Sequence, residues 1–266
     1  MTNDSYVGGF MIISVTTAAA VFGQLLVRQY ADSKKIKECH DVGGQFLAVV
    51  GTMYAVLLGL VVVDAMSKFQ QASVFVEQEA NSLADVFLLA ERMPVYQRDR
   101  IQNLCQQYAG EVVDHEWTCM DQGGIYDPAR RTAIELMKTV MDYEPVKENE
   151  KGVYPIIVQE VCQIWDNRRA RTNMATNQMP TIEWVVLIVG GMITVAFTYF
   201  FHVESLTSQV LMSTMVTVII GLNLFLVLLF GYPFSGDLIV KPDAFKLDQM
   251  IFEDKIGMQK TQDHLN

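Results

Sequence analysis

Four runs of this chain are apolar for about twenty residues or more, long enough to cross a bilayer as helices. They are Val7 to Val27, Val42 to Met66, Ile182 to Phe201 and Val210 to Phe234. A chain with four such runs is a membrane protein before any other feature is considered. The residues before the first run, MTNDSY, carry no Lys or Arg, so this run reads as a retained helix and not as a cleaved signal. No run of comparable apolarity occurs between Ser67 and Pro180.

The predicted fold class is therefore all-α: four transmembrane helices with a helical soluble domain inserted between spans two and three. The predicted divisions are 1–66 for helices 1 and 2, 67–180 for the soluble domain, 181–234 for a hairpin of helices 3 and 4, and 235–266 for a C-terminal tail. Within the insertion, Phe69, Val76, Ala80, Leu83, Phe87 and Ala90 recur at helical steps. No Pro or Gly separates them from span two, so one rod is expected to run on until Pro94. A second helix carries Ile101, Leu104, Tyr108 and Val112 on one face. Gly123 and Gly124 mark a turn, after which Asp127 is expected as the N-cap of a third helix with Pro128 at its first position. A fourth is expected from near Pro155.

The net charge of −10 argues against a nucleic-acid partner. Orientation is ambiguous by the positive-inside rule. Arg28, Lys34, Lys35 and Lys37 favour a cytoplasmic 28–43 loop, while Arg168, Arg169 and Arg171, with Lys241 and Lys246, stand on the opposite side. Motifs for acyl, phosphoryl or metal-hydrolytic chemistry are not found, and the chain is not expected to be an enzyme. His115-Glu116 reads as an ordinary exposed pair, and Cys39-His40 carries no metal-site spacing.

Polar residues within the spans are more informative, because lipid burial penalises them. Stepping along span two by helix turns gives Val50, Tyr54, Leu57, Val61, Asp64 and Lys68. One reading is a pore-lining face, with an apolar constriction at Leu57 and Val61 and with Asp64 charging its mouth. The other is a packing seam with Asp64 at the water boundary. Asn223 in span four is expected to bond to a neighbouring helix. Glu77 and Glu79 just past span two, and Arg168, Arg169 and Arg171 just before span three, read as a salt-bridged stalk or as a charged vestibule. Ser235-Gly236-Asp237 is a turn whose Ser235 and Asp237 oxygens are weak Ca²⁺ candidates; no other cofactor is expected.

Several short motifs occur in a familiar order: GTMYAVLLGL (51–60), VEQEANSLADVFLLAERMP (76–94), Tyr108, Glu116-Trp117, Arg168 to Arg171, Pro180 through Trp184, and PFSGD (233–237). In this the chain resembles a bacterial bestrophin-like family of integral membrane proteins. Bestrophins are pentameric helical anion channels gated by Ca²⁺. The resemblance implies a homo-oligomer in the inner membrane that passes inorganic ions, a hydrophobic neck at Tyr54, Leu57 and Val61, a Ca²⁺ clasp at PFSGD and a cytoplasmic soluble domain. Two departures stand out. The acidic run expected after PFSGD is missing, which counts against Ca²⁺ gating. A ring of Asp64 carboxylates favours cations, which counts against anion selectivity. The alternative is a non-conducting membrane scaffold or sensor that binds a partner through its helical domain.

Overall fold

The computed structural model describes residues 6–30, 40–177, 179–200 and 205–263. The basic loop residues Lys34, Lys35 and Lys37, and Cys39, lie outside the described residues, as does the His40 side chain. The chain divides into two compact units. One comprises residues 1–68, 179–232 and 236–238; the other comprises 69–178, 233–235 and 239–266.

Four helices of the first unit are long and apolar enough to cross a membrane. They are α1 (Tyr6–Tyr30), the first part of α2 (His40–Leu89), and two later helices. Helix α2 is 50 residues long, which at 1.5 Å per residue gives roughly 75 Å. It continues without a break into the second unit because no Pro or Gly interrupts it after Gly59. Helices α1 and α8 (Leu206–Phe230) pack antiparallel. A Cβ on Gly9 would fall 2.0 Å from the Phe225 ring, and Gly221 takes the Ile13 side chain. At the other end, Gln24 Nε2 donates to the Gln209 carbonyl at 3.3 Å, and Arg28 donates to Gln209 Oε1 at 2.7 Å. Helix α7 (Thr181–Thr198) starts after Pro180 and joins α1 through the Tyr199 hydroxyl, which donates to the Ala20 carbonyl at 2.8 Å.

Polar side chains within the spans are largely satisfied by their own helices. Thr16, Thr52, Thr194 and Thr217 donate to carbonyls one turn back. Asn223 does the same, donating to Ile219 at 2.9 Å and not to a neighbouring helix as expected. Its short amide reaches its own free carbonyl lone pair without needing a partner helix. The remaining faces expose Phe10, Phe22, Val56, Leu60, Val63 and Met192. In water such faces would be untenable; in hydrocarbon they carry no penalty.

The second unit is all helical among the described residues. Helix α2 ends at Leu89, a 3₁₀ turn covers Ala90–Arg92, and Pro94 precedes α3 (Val95–Glu111). A π-helical turn (Val112–Glu116) leads into the short α4 (Trp117–Asp121). Gly123 follows with φ of 72°, a left-handed conformation that the turn requires and only glycine adopts freely. Helices α5 (Asp127–Met141) and α6 (Glu148–Thr176) complete the inserted part.

Two expectations about helix starts are corrected. Tyr126, not Asp127, is the N-cap of α5; Asp127 is already helical and ties down Arg130 at 2.9 Å. Helix α6 begins at Glu148, a full turn or more before Pro155, which lies inside it. Glu150 secures that start by accepting from the backbone N–H groups of Val146 and Lys147 and from the Tyr143 hydroxyl at 2.7 Å. These bonds satisfy two of the backbone N–H groups at the helix start.

The largest difference concerns residues 235–266, expected as a tail. They include α9 (Asp243–Asp263), which packs on the helical domain. Phe245 and Phe252 are fully buried, and Phe252 stacks on Phe87 with ring centroids 4.1 Å apart. The apolar step Phe245, Ile251, Phe252 is helical, but it is short and interrupted by Lys246, Asp248 and Gln249.

Candidate functional site: an open helix face and a buried ion network

Span two lies in the first part of α2, and its side chains divide by azimuth. Tyr54 turns inward and is 7% exposed. Its hydroxyl donates to the Leu187 carbonyl at 3.0 Å, and its ring lies on Gly190 and Gly191. A Cβ on Gly190 would sit 2.6 Å from that ring, so the glycine pair is what admits the tyrosine. Leu58 and Ala65 are buried on the same side, and Val61 packs against the cluster around Tyr54. Leu57 is at the edge, 37% exposed, with Val56, Leu60 and Val63 opening beyond it. Asp64 is open as well, and forms an ion pair with Lys68 one turn on at 2.7 Å. The expected stripe therefore does not share one environment: Tyr54 is held within the chain's own helices, Val61 is intermediate, and Leu57 and Asp64 are uncovered.

The acidic and basic residues around the soluble insertion also divide. Glu77 and Arg169 are exposed. Glu79, Arg168 and Arg171 are buried in the helical domain, and so is Glu116, contrary to the exposed position expected for the His115-Glu116 pair. Arg171 donates from Nε to Glu79 Oε2 at 2.7 Å and from Nη2 to both Glu79 Oε1 and Glu116 Oε2 at 2.8 Å. Arg168 pairs with the other oxygen of Glu116. The Tyr108 hydroxyl donates to Glu79 Oε1 at 2.5 Å. Arg171 also lies over the Trp117 ring at 5.1 Å, which suits the planar guanidinium.

Two carboxylates and two guanidiniums at 2% exposure or less form a neutral set. Burial alone would lower the Arg171 pKa, but the Glu79 and Glu116 carboxylates reverse that and hold it raised, firmly charged. Burial and the Glu79 charge together push the Tyr108 phenol well up, so it remains a donor. The network joins α2, α3, the π turn and α6 at one point. Its physical effect is to fix the register of four segments, since a misaligned buried charge would lack its partner.

The turn after α8 uses its polar atoms locally. Ser235 Oγ donates to the Asp121 carbonyl at 2.9 Å. Asp237 Oδ2 accepts from the Tyr6 backbone N–H at 2.7 Å, placing a negative charge at the start of α1 where the helix dipole favours it. Ca²⁺ takes six to eight oxygens. Among the described residues no group of three or more His, Cys, Asp or Glu is placed to hold a metal ion. Ser235 and Asp237 are each engaged in a local hydrogen bond.

The order of elements and the position of the insertion can be compared with known proteins. Residues 14–245 match the family model described as a bestrophin-like domain. The chain belongs to the bestrophin-like family. No curated protein matches it significantly in sequence. Among solved structures, a bacterial bestrophin homologue from Klebsiella pneumoniae, crystallised as a point mutant, matches with a TM-score of 0.70 at 11% identity, covering 93% of this chain and 98% of that one. Another crystal structure of a bestrophin homologue from the same organism gives a TM-score of 0.68 at 11% identity over 93% and 98% of the two chains. At that identity the likeness is one of fold. Family membership supports a role in transport across a membrane.

Proposed function

We propose that this bestrophin-like protein is an oligomeric ion channel whose second span lines the pore. The observation that carries the reading is the uncovered face of α2 within the membrane unit, apolar at Leu57 and ending in the charge of Asp64. A helix that lines a shared pore must keep that face free of its own chain's helices. Leu57, with Val61 beside it, forms the constriction, and Asp64 sets ion preference at its mouth. Tyr54 holds the stripe in azimuth through its bond to Leu187. Lys68, paired with Asp64, partly cancels the mouth's charge. Glu77 and Arg169, being exposed, supply the vestibule charges, while Glu79, Arg168 and Arg171 keep the domain in register. The family likeness supports a soluble domain on the cytoplasmic side.

Purified protein in liposomes, with K⁺ and Cl⁻ gradients imposed separately, tests this. Leu57→Ala is expected to raise flux, and Asp64→Asn to shift the K⁺/Cl⁻ preference toward Cl⁻. Lys68→Gln should shift it the other way. No flux from folded protein, a monomer or dimer on sizing, or mutants that leave conductance and reversal potential unchanged would reject the pore and favour a scaffold.

A further inference from the structure

Helix α9 is held on the helical domain by aromatic side chains at both ends of its first three turns. Phe245 meets the Trp117 ring at 6.1 Å and the Tyr108 ring at 6.4 Å, and Phe252 stacks on Phe87. Between them lies Asp248, 5% exposed. Its Oδ2 is buried and has no hydrogen-bond partner. No ion pair to it exists among the described residues. The titratable group facing it from α2 is Asp85, a like charge, and from α3 it is Cys105, a fully buried thiol. The π turn presents Glu116, already bonded to Arg168 and Arg171. Further along α9, Lys255 is engaged by Glu91 at 3.1 Å. Asp85 thus adds to the penalty that burial places on a charge at Asp248, and no cation among the described residues pairs with it.

We propose that Asp248 is a proton-binding site that latches α9 to the helical domain, docking the helix when protonated and loosening it when ionised. The carboxyl is placed so that ionisation strands a buried negative charge beside Asp85. Undocking exposes the same carboxylate to water, where it ionises freely. Consistently, burial first and the Asp85 charge second push its pKa up to about 7. The sign follows from linkage. Docked α9 holds a proton that undocked α9 has already released at any pH between the exposed-carboxyl range near 4 and about 7. Docking therefore weakens as pH rises through that window, about tenfold per unit, and is constant above it.

Hydrogen exchange of the full-length protein in nanodiscs, from pH 5 to pH 8.5 with exchange times scaled for intrinsic rate, tests this. Protection of the 245–252 amides relative to α5 is expected to fall about a hundredfold between pH 5 and pH 7, and then to level off. Asp248→Asn keeps the shape of the side chain without the charge, so its α9 should stay protected at every pH. Asp85→Asn should move the levelling-off point to lower pH while leaving α9 docked. Protection in wild-type protein that is independent of pH overturns the latch, as does a pH dependence that survives in Asp248→Asn. If Asp248→Asn does not fold, the wild-type profile and the Asp85→Asn shift decide the matter, and an unshifted profile in the latter overturns the assignment. None of these readouts depends on ion conduction.

Discussion

Replacing Arg171 with Met removes the cation that Glu79 and Glu116 share and keeps the volume of the side chain. Glu116 retains Arg168, but Glu79, at 0% exposure, is left with only the Tyr108 hydroxyl. Breaking a buried pair by deleting one partner costs about 3–5 kcal/mol, most of it the penalty of the stranded charge. For a unit of this size that corresponds to a fall of about 9–15 °C in melting temperature. The penalty falls on the ionised carboxylate, which only a cation or a proton can neutralise, so the deficit relative to wild type should be larger at pH 8 than at pH 5. Intrinsic tryptophan fluorescence during heating is a suitable assay, because Trp117 lies under the Arg171 guanidinium and its indole N–H donates to the Val240 carbonyl at 2.9 Å. Adding Glu79→Gln to Arg171→Met removes the stranded charge and should restore about half of the loss at pH 8. An Arg171→Met protein that melts within about 3 °C of wild type, or shows the same deficit at both pH values, would refute the reasoning.

Two further outcomes follow from other contacts. Gly190→Ala forces a Cβ against the Tyr54 ring and should cost about 1–3 kcal/mol; combining it with Tyr54→Leu should recover most of that, read as melting temperature in detergent. The Tyr143 hydroxyl bond holds the Glu150 carboxyl below the usual carboxylate range, and burial followed by that same bond pushes Tyr143 up to about 12. A depressed carboxylate stabilises above its unfolded pKa and loses that contribution as pH falls through the folded value. Glu150→Gln should therefore lower protection of the first turns of α6 at pH 7 and make it less sensitive to acid, as hydrogen exchange between pH 3 and pH 7 would show.

The membrane architecture was legible because hydrocarbon allows only one solution for a twenty-residue apolar run. The continuity of α2 was legible too, from the lack of any Pro or Gly after Gly59. Pairing of Glu79 with an arginine cluster could be suspected from the chain's connectivity. Glu116 could not, because its partners lie 52 and 55 positions away and no local pattern distinguishes it from its exposed neighbour His115. Helix α9 was missed for a related reason: its buried face includes Asp248, a charged type that counts against a core position. On span two, the four-residue and three-residue steps give one stripe on paper. Which part of that stripe faces inward depends on Gly190 and Gly191, more than a hundred residues away, making room for Tyr54.

The π turn also limits how this chain can vary in length. Tyr108, Val112, Glu116 and Met120 are spaced by four, and all are completely buried. On a uniform α-helix each four-residue step drifts by about 40°, so the last of them would have rotated about 120° away from the first. The wider turn at 112–116 resets the phase, bringing Glu116 and Met120 back to the side where Arg171 waits, 2.8 Å from the one and 3.2 Å from the other. Deleting a single residue between Val113 and His115 would restore regular α-helix with Tyr108 and Glu116 seven positions apart, only about 20° short of two full turns, so the buried face would be kept. Adding or deleting one elsewhere in the stretch, with the π turn left in place, would swing Glu116 or Met120 about 100° off the buried face. A change of one residue in length is thus tolerated at 112–116 and not in the rest of the stretch from Tyr108 to Met120, so gaps among relatives should fall at that turn or outside the stretch.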